Sequence, residues 1–151
     1  KEMTRARRLD DRFVFTGEIS HEKIVSYVRT FDIGVAPYRA EVDGSALKIF
    51  EYMAAGIPVV ASAICGVREL FDEAEIGIAV DPENEDELAK AIGSLLSDEE
   101  KRARCGRNGR ELALRKYSWE ENAKRIIHGM RDAGVRIEAE AESADSRKYQ
   151  S

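Results

Sequence analysis

The feature that most constrains this chain is an alternation of short apolar segments with helical ones. RFVFTG (Arg12–Gly17), DIGVAPY (Asp32–Tyr38), PVVAS (Pro58–Ser62) and IGIAVDP (Ile76–Pro82) are each four to seven residues long, mostly apolar and bounded by Gly, Pro or polar residues. That is the pattern of strands buried on both faces. Between them lie SHEKIVSYVRT, SALKIFEYMAAG and GVRELFDEA, whose apolar residues recur at helical spacing. Parallel strands need crossovers of a dozen or more residues, and helices supply them. The chain therefore reads as α/β, with a parallel sheet of about four strands. From Asn84 onward the signals are all helical, so helices close the domain. Asn84, Ser97 or Asp98, and Ser118 are the expected caps of three successive helices. Leu88, Ala91, Ile92, Leu95 and Leu96 form the apolar face of the first.

In sheets of this kind ligands bind beyond the carboxyl ends of the strands. Four loops therefore matter: Gly17–Ser20, Pro37–Ser45, Ser62–Gly66 and Pro82–Glu83. The opening KEMTRARRLDD reads as the tail of a helix running into a strand, which suits a chain that begins inside a larger domain. The expected domain covers residues 1–131, and residues 132–151 read as a polar, disordered tail.

Composition narrows the function classes. A net charge of -5 argues against a nucleic-acid partner that needs a basic surface, but leaves room for a small anion held by a few local donors. No apolar run reaches the roughly 18 residues of a membrane span, and no signal-peptide pattern is present. Cys65 and Cys105 match no metal spacing and read as reduced thiols of a cytoplasmic protein. His21 and His128 are isolated and read as surface residues, with no metal site. Trp119 reads as a packing anchor at a helix start, a hydrophobic staple. The basic run KRARCGRNGR adjoins SDEE on one helix and reads as a solvated face.

The stretch VDGSALKIFEYMAAG is the most informative. On a helical wheel Ala46, Ile49, Phe50, Met53 and Ala54 share an apolar side, while Lys48, Glu51, Tyr52 and Ala55 share the other. The first amides of a helix lack partners, and the macrodipole favours an anion there. Gly44, Ser45 and Ala46 leave the backbone accessible. A phosphate at that end would compensate Lys48, which otherwise costs about 0.3–1 kcal/mol in a first turn. Glu51, one turn deeper, suits the hydroxyls of a ribose or sugar. The same residues also fit a plainer reading. Lys48 and Glu51 can be a surface pair, and Asp43 and Gly44 turn residues.

DGSALKIFEYMAAGIPVVAS also resembles the signature of family 4 (group 1) GT-B glycosyltransferases, in which two acids stand eight positions apart and the second opens an E-A-M-A-x-G-x-P-V-V-A-S run. Asp43 stands at the first acid and Glu51 at the second. RFVFTGEISHEKIVSYVRTFDIGVAPY, GVRELF, GIAVDPENEDELAKAI and YSWEENAKRI are similar to further family segments, so the resemblance runs from about Arg12 to His128. It implies a partial Rossmann-like, donor-binding domain. The donor would be a nucleotide-diphosphate sugar such as a UDP- or GDP-sugar, used for retaining transfer in polysaccharide biosynthesis without cofactor or metal. Asp43 and Glu51 would be the catalytic acids, on the sugar hydroxyls and the ribose. Gly44, Ser45, Ala46 and Leu47 would cradle diphosphate and sugar, Lys48 would add charge, and Gly17, Glu18 and Ile19 would lie near the base. The shorter Asp43, where the family has Glu, and Ala46, where it has Gly, are departures. Partners implied are the donor and an N-terminal acceptor-binding domain missing from these residues, with no nucleic acid. The intact enzyme would be cytoplasmic, or peripheral at the inner membrane face, and this stretch alone inactive. A non-catalytic α/β module and a nucleotide-sugar epimerase of the same architecture are the alternatives.

Overall fold

The computed structural model describes residues 2–39, 47–64 and 66–135. Asp43, Gly44, Ser45, Ala46, Cys65 and nearly all of the expected tail lie outside them. Helix α1 (Glu2–Ala6) and a 3-10 turn (Asp10–Arg12) lead into helix α2 (His21–Val28). Then follow strand β1 (Gly34–Ala36), helix α3 (Leu47–Ala55), strand β2 (Val59–Ser62), helix α4 (Val67–Glu73) and strand β3 (Gly77–Val80). Helices α5 (Glu85–Ser97) and α6 (Glu99–Leu112), a π-helical turn (Ala113–Tyr117) and helix α7 (Trp119–Asp132) complete the order.

The sheet is parallel, in the order β1-β2-β3, with Val35 beside Val60 and Val60 beside Ile78. Because side chains alternate, the sheet has two buried faces. Val59 and Ala61 pack with Ala36, Ile49, Met53 and Leu112 on one face, under α3, α4 and α6. Val60 and Val80 pack with Ala91 and Leu95 of α5 on the other. This confirms the α/β reading and corrects the strand count, since the described sheet has three strands and not about four. The expected strand Arg12–Gly17 has no ladder among the described residues. Phe13, Val14 and Phe15 are 50%, 90% and 49% exposed, and the rings of Phe13 and Phe15 stack at 6.1 Å. An apolar run becomes a strand only where a neighbour supplies ladder bonds, and composition alone does not reveal the neighbour.

The other strands are shorter than the apolar runs that announced them. Strand β1 ends at Ala36, and the next N–H that faces β2, that of Tyr38, goes to the Ser62 side chain and not to a backbone carbonyl. Gly34 is required in β1: a Cβ there would sit 2.4 Å from the Tyr52 ring. Tyr52, expected on the polar side of α3, is therefore half-buried against the strand, whereas Ala54, expected on the apolar side, is exposed. Gly56, with φ +78°, stops α3 as a left-handed terminator.

The caps form as expected. Asn84 Oδ1 accepts from the Glu87 N–H at 3.0 Å, Asp98 Oδ1 from the Lys101 N–H at 2.8 Å, and Ser118 Oγ from the Glu121 N–H at 3.2 Å. Two residues of the C-terminal half depart from expectation. Leu96 is exposed, and Trp119 is 85% exposed rather than a staple. Trp119 stands at the first position of α7, a helix with no buried residue.

Candidate functional site

Helices α2 and α3 pack side by side, and between them runs a groove of about 220 Å³. Its walls are mainly apolar, from Ile24, Val25 and Val28 on one side and Ala54 and Ala55 on the other. Its polar groups are His21, Arg29 and Glu51. Pockets for small molecules typically enclose about 300–1,000 Å³, so this groove suits part of a ligand. A few polar groups on apolar walls would give that part a fixed orientation.

Glu51 is exposed on α3, one turn into the described helix. Lys48 is exposed on the same helix, and no ion pair joins the two among the described residues. The surface-pair reading of these residues is thereby removed. Two phenols lie within electrostatic reach of the Glu51 carboxylate. Partial burial, and then the Glu51 charge, push the Tyr38 hydroxyl above its ordinary value of 10.0. Tyr52 is pushed the same way by burial first, then by Tyr38 and Glu51. Both therefore remain neutral hydrogen-bond donors at physiological pH, grouped around one carboxylate.

Of the remaining residues singled out in the sequence, Leu47 is exposed at the described start of α3. Gly17 takes φ +66°, and with Glu18 it is exposed just ahead of α2, while Ile19 is half-buried. This places the Gly17–Ile19 turn at the N-terminal end of α2, where His21 lines the groove. Asp43, Gly44, Ser45 and Ala46 lie outside the described residues. A second hollow, of about 210 Å³, opens at the carboxyl ends of all three strands, among Tyr38, Arg39, Ser62, Asp81 and Asn84.

Sequence reasoning missed Tyr38, Tyr52 and Ser62. The available signal was Gly34: a glycine inside an apolar strand marks a close approach, here by Tyr52. It also missed the bonds that the basic run makes within the fold. Arg102 Nη1 donates to the carbonyls of Leu95 and Leu96 at 2.8 and 2.7 Å, closing the end of α5. Arg104 grips both carboxylate oxygens of Glu75 at 2.9 and 3.0 Å, and Arg110 Nη1 donates to the Ala54 carbonyl at 2.7 Å. Arg104, Arg107 and Arg110 are exposed, as a solvated face requires, and three of the run's arginines also tie the fold together. Cys105 is fully buried, and burial raises its thiol pKa, as expected of an inert cysteine. His128 is exposed and lies 3.4 Å from Asp132. Among the described residues no cluster of His, Cys, Asp and Glu could hold a metal ion, and no helix is long and apolar enough to cross a membrane.

Comparison with known proteins agrees with this architecture. The family described as "Glycosyl transferases group 1" matches residues 1–112. An alpha-D-kanosaminyltransferase of Streptomyces kanamyceticus is 35% identical over 86% of this chain and 33% of its own length. A GDP-mannose-dependent phosphatidylinositol monomannoside mannosyltransferase of Mycobacterium tuberculosis is 27% identical over 80% of this chain and 33% of its own length. The sucrose-phosphate synthase structure from Thermosynechococcus elongatus superposes with a TM-score of 0.78, at 32% identity, over 88% of this chain and 33% of that one. The chain thus spans about a third of the length of the curated relatives it matches. Its sheet, its helix order and its sequence from α1 through α6 together place it in the group 1 glycosyltransferases, with their Rossmann-like GT-B fold.

Proposed function

We infer that this chain is the donor-binding part of a glycosyltransferase that takes its sugar from a nucleotide diphosphate. The observation that carries the reading is Glu51. It is an exposed carboxylate on a groove along the latter half of α3, free of any ion pair among the described residues, in a chain of this family. A carboxylate so placed accepts hydrogen bonds from the two hydroxyls of a ribose. Lys48, a turn closer to the helix start, contributes positive charge where the diphosphate would lie. The Gly17–Ile19 turn, at the far end of the groove, would meet the base. Asp43 would contact the transferred sugar, and the Gly44–Leu47 backbone the diphosphate.

The chemistry is electrostatic. As the glycosidic bond breaks, charge accumulates on the leaving diphosphate, and fixed amide dipoles with Lys48 stabilise it. In this reading transfer proceeds with retention at the anomeric carbon and needs no cofactor. Its product belongs to polysaccharide biosynthesis, and the reaction takes place in the cytoplasm or at the inner membrane face. Because the chain spans a third of its relatives, acceptor binding falls to a domain outside these residues. The chain alone binds donor without transferring sugar.

Calorimetric titration with UDP and GDP tests the reading. Saturable binding of one of them is expected. Glu51→Ala weakens it roughly 10- to 100-fold, the loss of about 1.5–3 kcal/mol that a charged hydrogen-bonding group supplies. Arg107→Ala, an exposed change on α6, leaves it unaltered. Absence of binding at millimolar nucleotide contradicts the proposal. Turnover by the chain alone, with nucleotide-sugars and acceptors supplied, contradicts the inactivity.

A further inference from the structure

We propose that Ser62 is a positioning residue of the donor site, its buried hydroxyl fixing where the chain leaves β1 and so how Tyr38 stands against the Glu51 helix. The inference rests on the donor-site reading above.

Among the described residues Ser62 is the only polar residue in the core, at 2% exposure. A hydroxyl so deeply buried is costly unless bonded, and here it is: Ser62 Oγ accepts from the Tyr38 N–H at 2.9 Å. The position of this bond gives it a purpose. The ladder between β1 and β2 pairs Gly34 with Val59, Val35 with Val60 and Ala36 with Ala61. The next pair would be Pro37 with Ser62, and its ladder bond would come from the Tyr38 N–H, since Gly34 donates to the Pro58 carbonyl and alternate residues face the same neighbour. The ladder stops there, and a side-chain oxygen takes that N–H in place of a backbone carbonyl. On its other side Ser62 is in register with Val80, and the adjacent Ala63 N–H donates to the Val80 carbonyl at 2.7 Å. Ser62 is thus held firmly from the β3 side while it holds the exit of β1.

What it holds is the approach to the site. Tyr38 packs against the same core as Phe50 and Tyr52 of α3, and its phenol feels the Glu51 charge. Residues 40–46, which carry Asp43, follow directly in the chain. An alanine at position 62 keeps the packing but leaves the Tyr38 N–H without its acceptor and the strand exit without its register.

The test measures UDP and GDP affinity for the chain carrying Ser62→Ala, Ser62→Thr or Val60→Ala, with thermal stability recorded alongside. Val60 lies on the same face of β2, two residues from Ser62 and packed with Ala91 and Leu95 of α5, and serves as a purely structural control. Ser62→Ala is expected to weaken binding about 5- to 10-fold, and Ser62→Thr, which keeps the hydroxyl, to stay within about 3-fold of the parent. Val60→Ala is expected to lower stability and leave affinity unchanged. Unaltered affinity in Ser62→Ala, or an equal loss in Val60→Ala, overturns the proposal. If the parent chain binds neither nucleotide, the donor-site reading has failed, and amide resonances decide the positioning role separately. Shifts in Ser62→Ala that extend to Lys48 and Glu51 but spare α6 uphold it. Shifts confined to Tyr38 and β2 refute it.

Discussion

On α3, Lys48 and Glu51 stand exposed three residues apart, and among the described residues neither enters an ion pair. On α6, Arg102 and Arg110 each end on a carbonyl oxygen of another helix, and Arg104 on the Glu75 carboxylate between α4 and β3. Both helices show closely spaced charge in the sequence, and nothing in the spacing tells them apart. The difference lies in what surrounds them. Helix α6 lies where α5 and α3 end, and its Arg102 and Arg110 reach helix-end carbonyls that would otherwise lack partners. Helix α3 starts at the carboxyl edge of the sheet, where a ligand is the natural counterpart. Charge bound within the fold is scaffold; charge left unpaired, as on Lys48 and Glu51, is what the proposed donor site would use.

Substitutions can break this contrast, and the largest effect falls on the scaffold. A Cβ on Gly106 would lie 2.2 Å from the Gly56 carbonyl oxygen, so α6 rests directly on the end of α3. Gly106→Ala should lower unfolding stability by about 1–3 kcal/mol in urea titration, because backbone must move to admit the methyl. An unchanged midpoint would mean that the two helices are not in close register. Arg110→Ala, which removes the donor to Ala54, should cost about 1 kcal/mol in the same measurement while nucleotide affinity holds. Lys48→Ala should do the reverse. It should raise stability by about 0.3–1 kcal/mol at low salt, since a cation opposes the dipole in a first turn, and lower diphosphate affinity. If Lys48→Ala destabilises the chain, Lys48 is scaffold and the contrast fails.

The smallest effect is acid dependence. Glu75 is held below its ordinary 4.5 chiefly by the Arg104 hydrogen bond, and Glu73 chiefly by that of Lys116, aided by Tyr117. Carboxyls lowered by folding contribute stability that is fully present above that ordinary value and is lost as pH falls through their folded values. Urea midpoints should therefore fall below about pH 4.5, and Arg104→Ala should flatten part of that slope. Both pairs are largely solvated, so the change should be small. An equally steep slope in the variant would remove the Arg104–Glu75 pair from the account.

Much of this molecule could be read from its residues. The helix caps at Asn84, Asp98 and Ser118, the terminator at Gly56 and the buried character of β2 are local in origin, and they appear as written. What was hidden depends on contacts distant in the chain. RFVFTG carries every local mark of a strand, yet lacks the neighbour that makes one. Tyr52 looks solvent-facing on a wheel until the flat surface of Gly34 receives its ring. Trp119 looks like an anchor, but nothing described buries it. The site shows the same division. Glu51 and Lys48 stood out through position in a helix, whereas Tyr38 and Ser62 come together across 24 residues through a single hydrogen bond.

The order of the sheet bears on how this chain reaches its structure. Strands β1, β2 and β3 lie side by side in the sequence in which a ribosome makes them, each joined to the next through one helix. Among the described strands no pairing waits for a remote segment, so loop-closure entropy is met in small steps. Each strand can dock as it emerges onto the edge left by the one before. Parallel sheets are ordinarily slow to assemble; this one should be among the quicker of its kind, and stopped-flow refolding should show its core forming without a long lag.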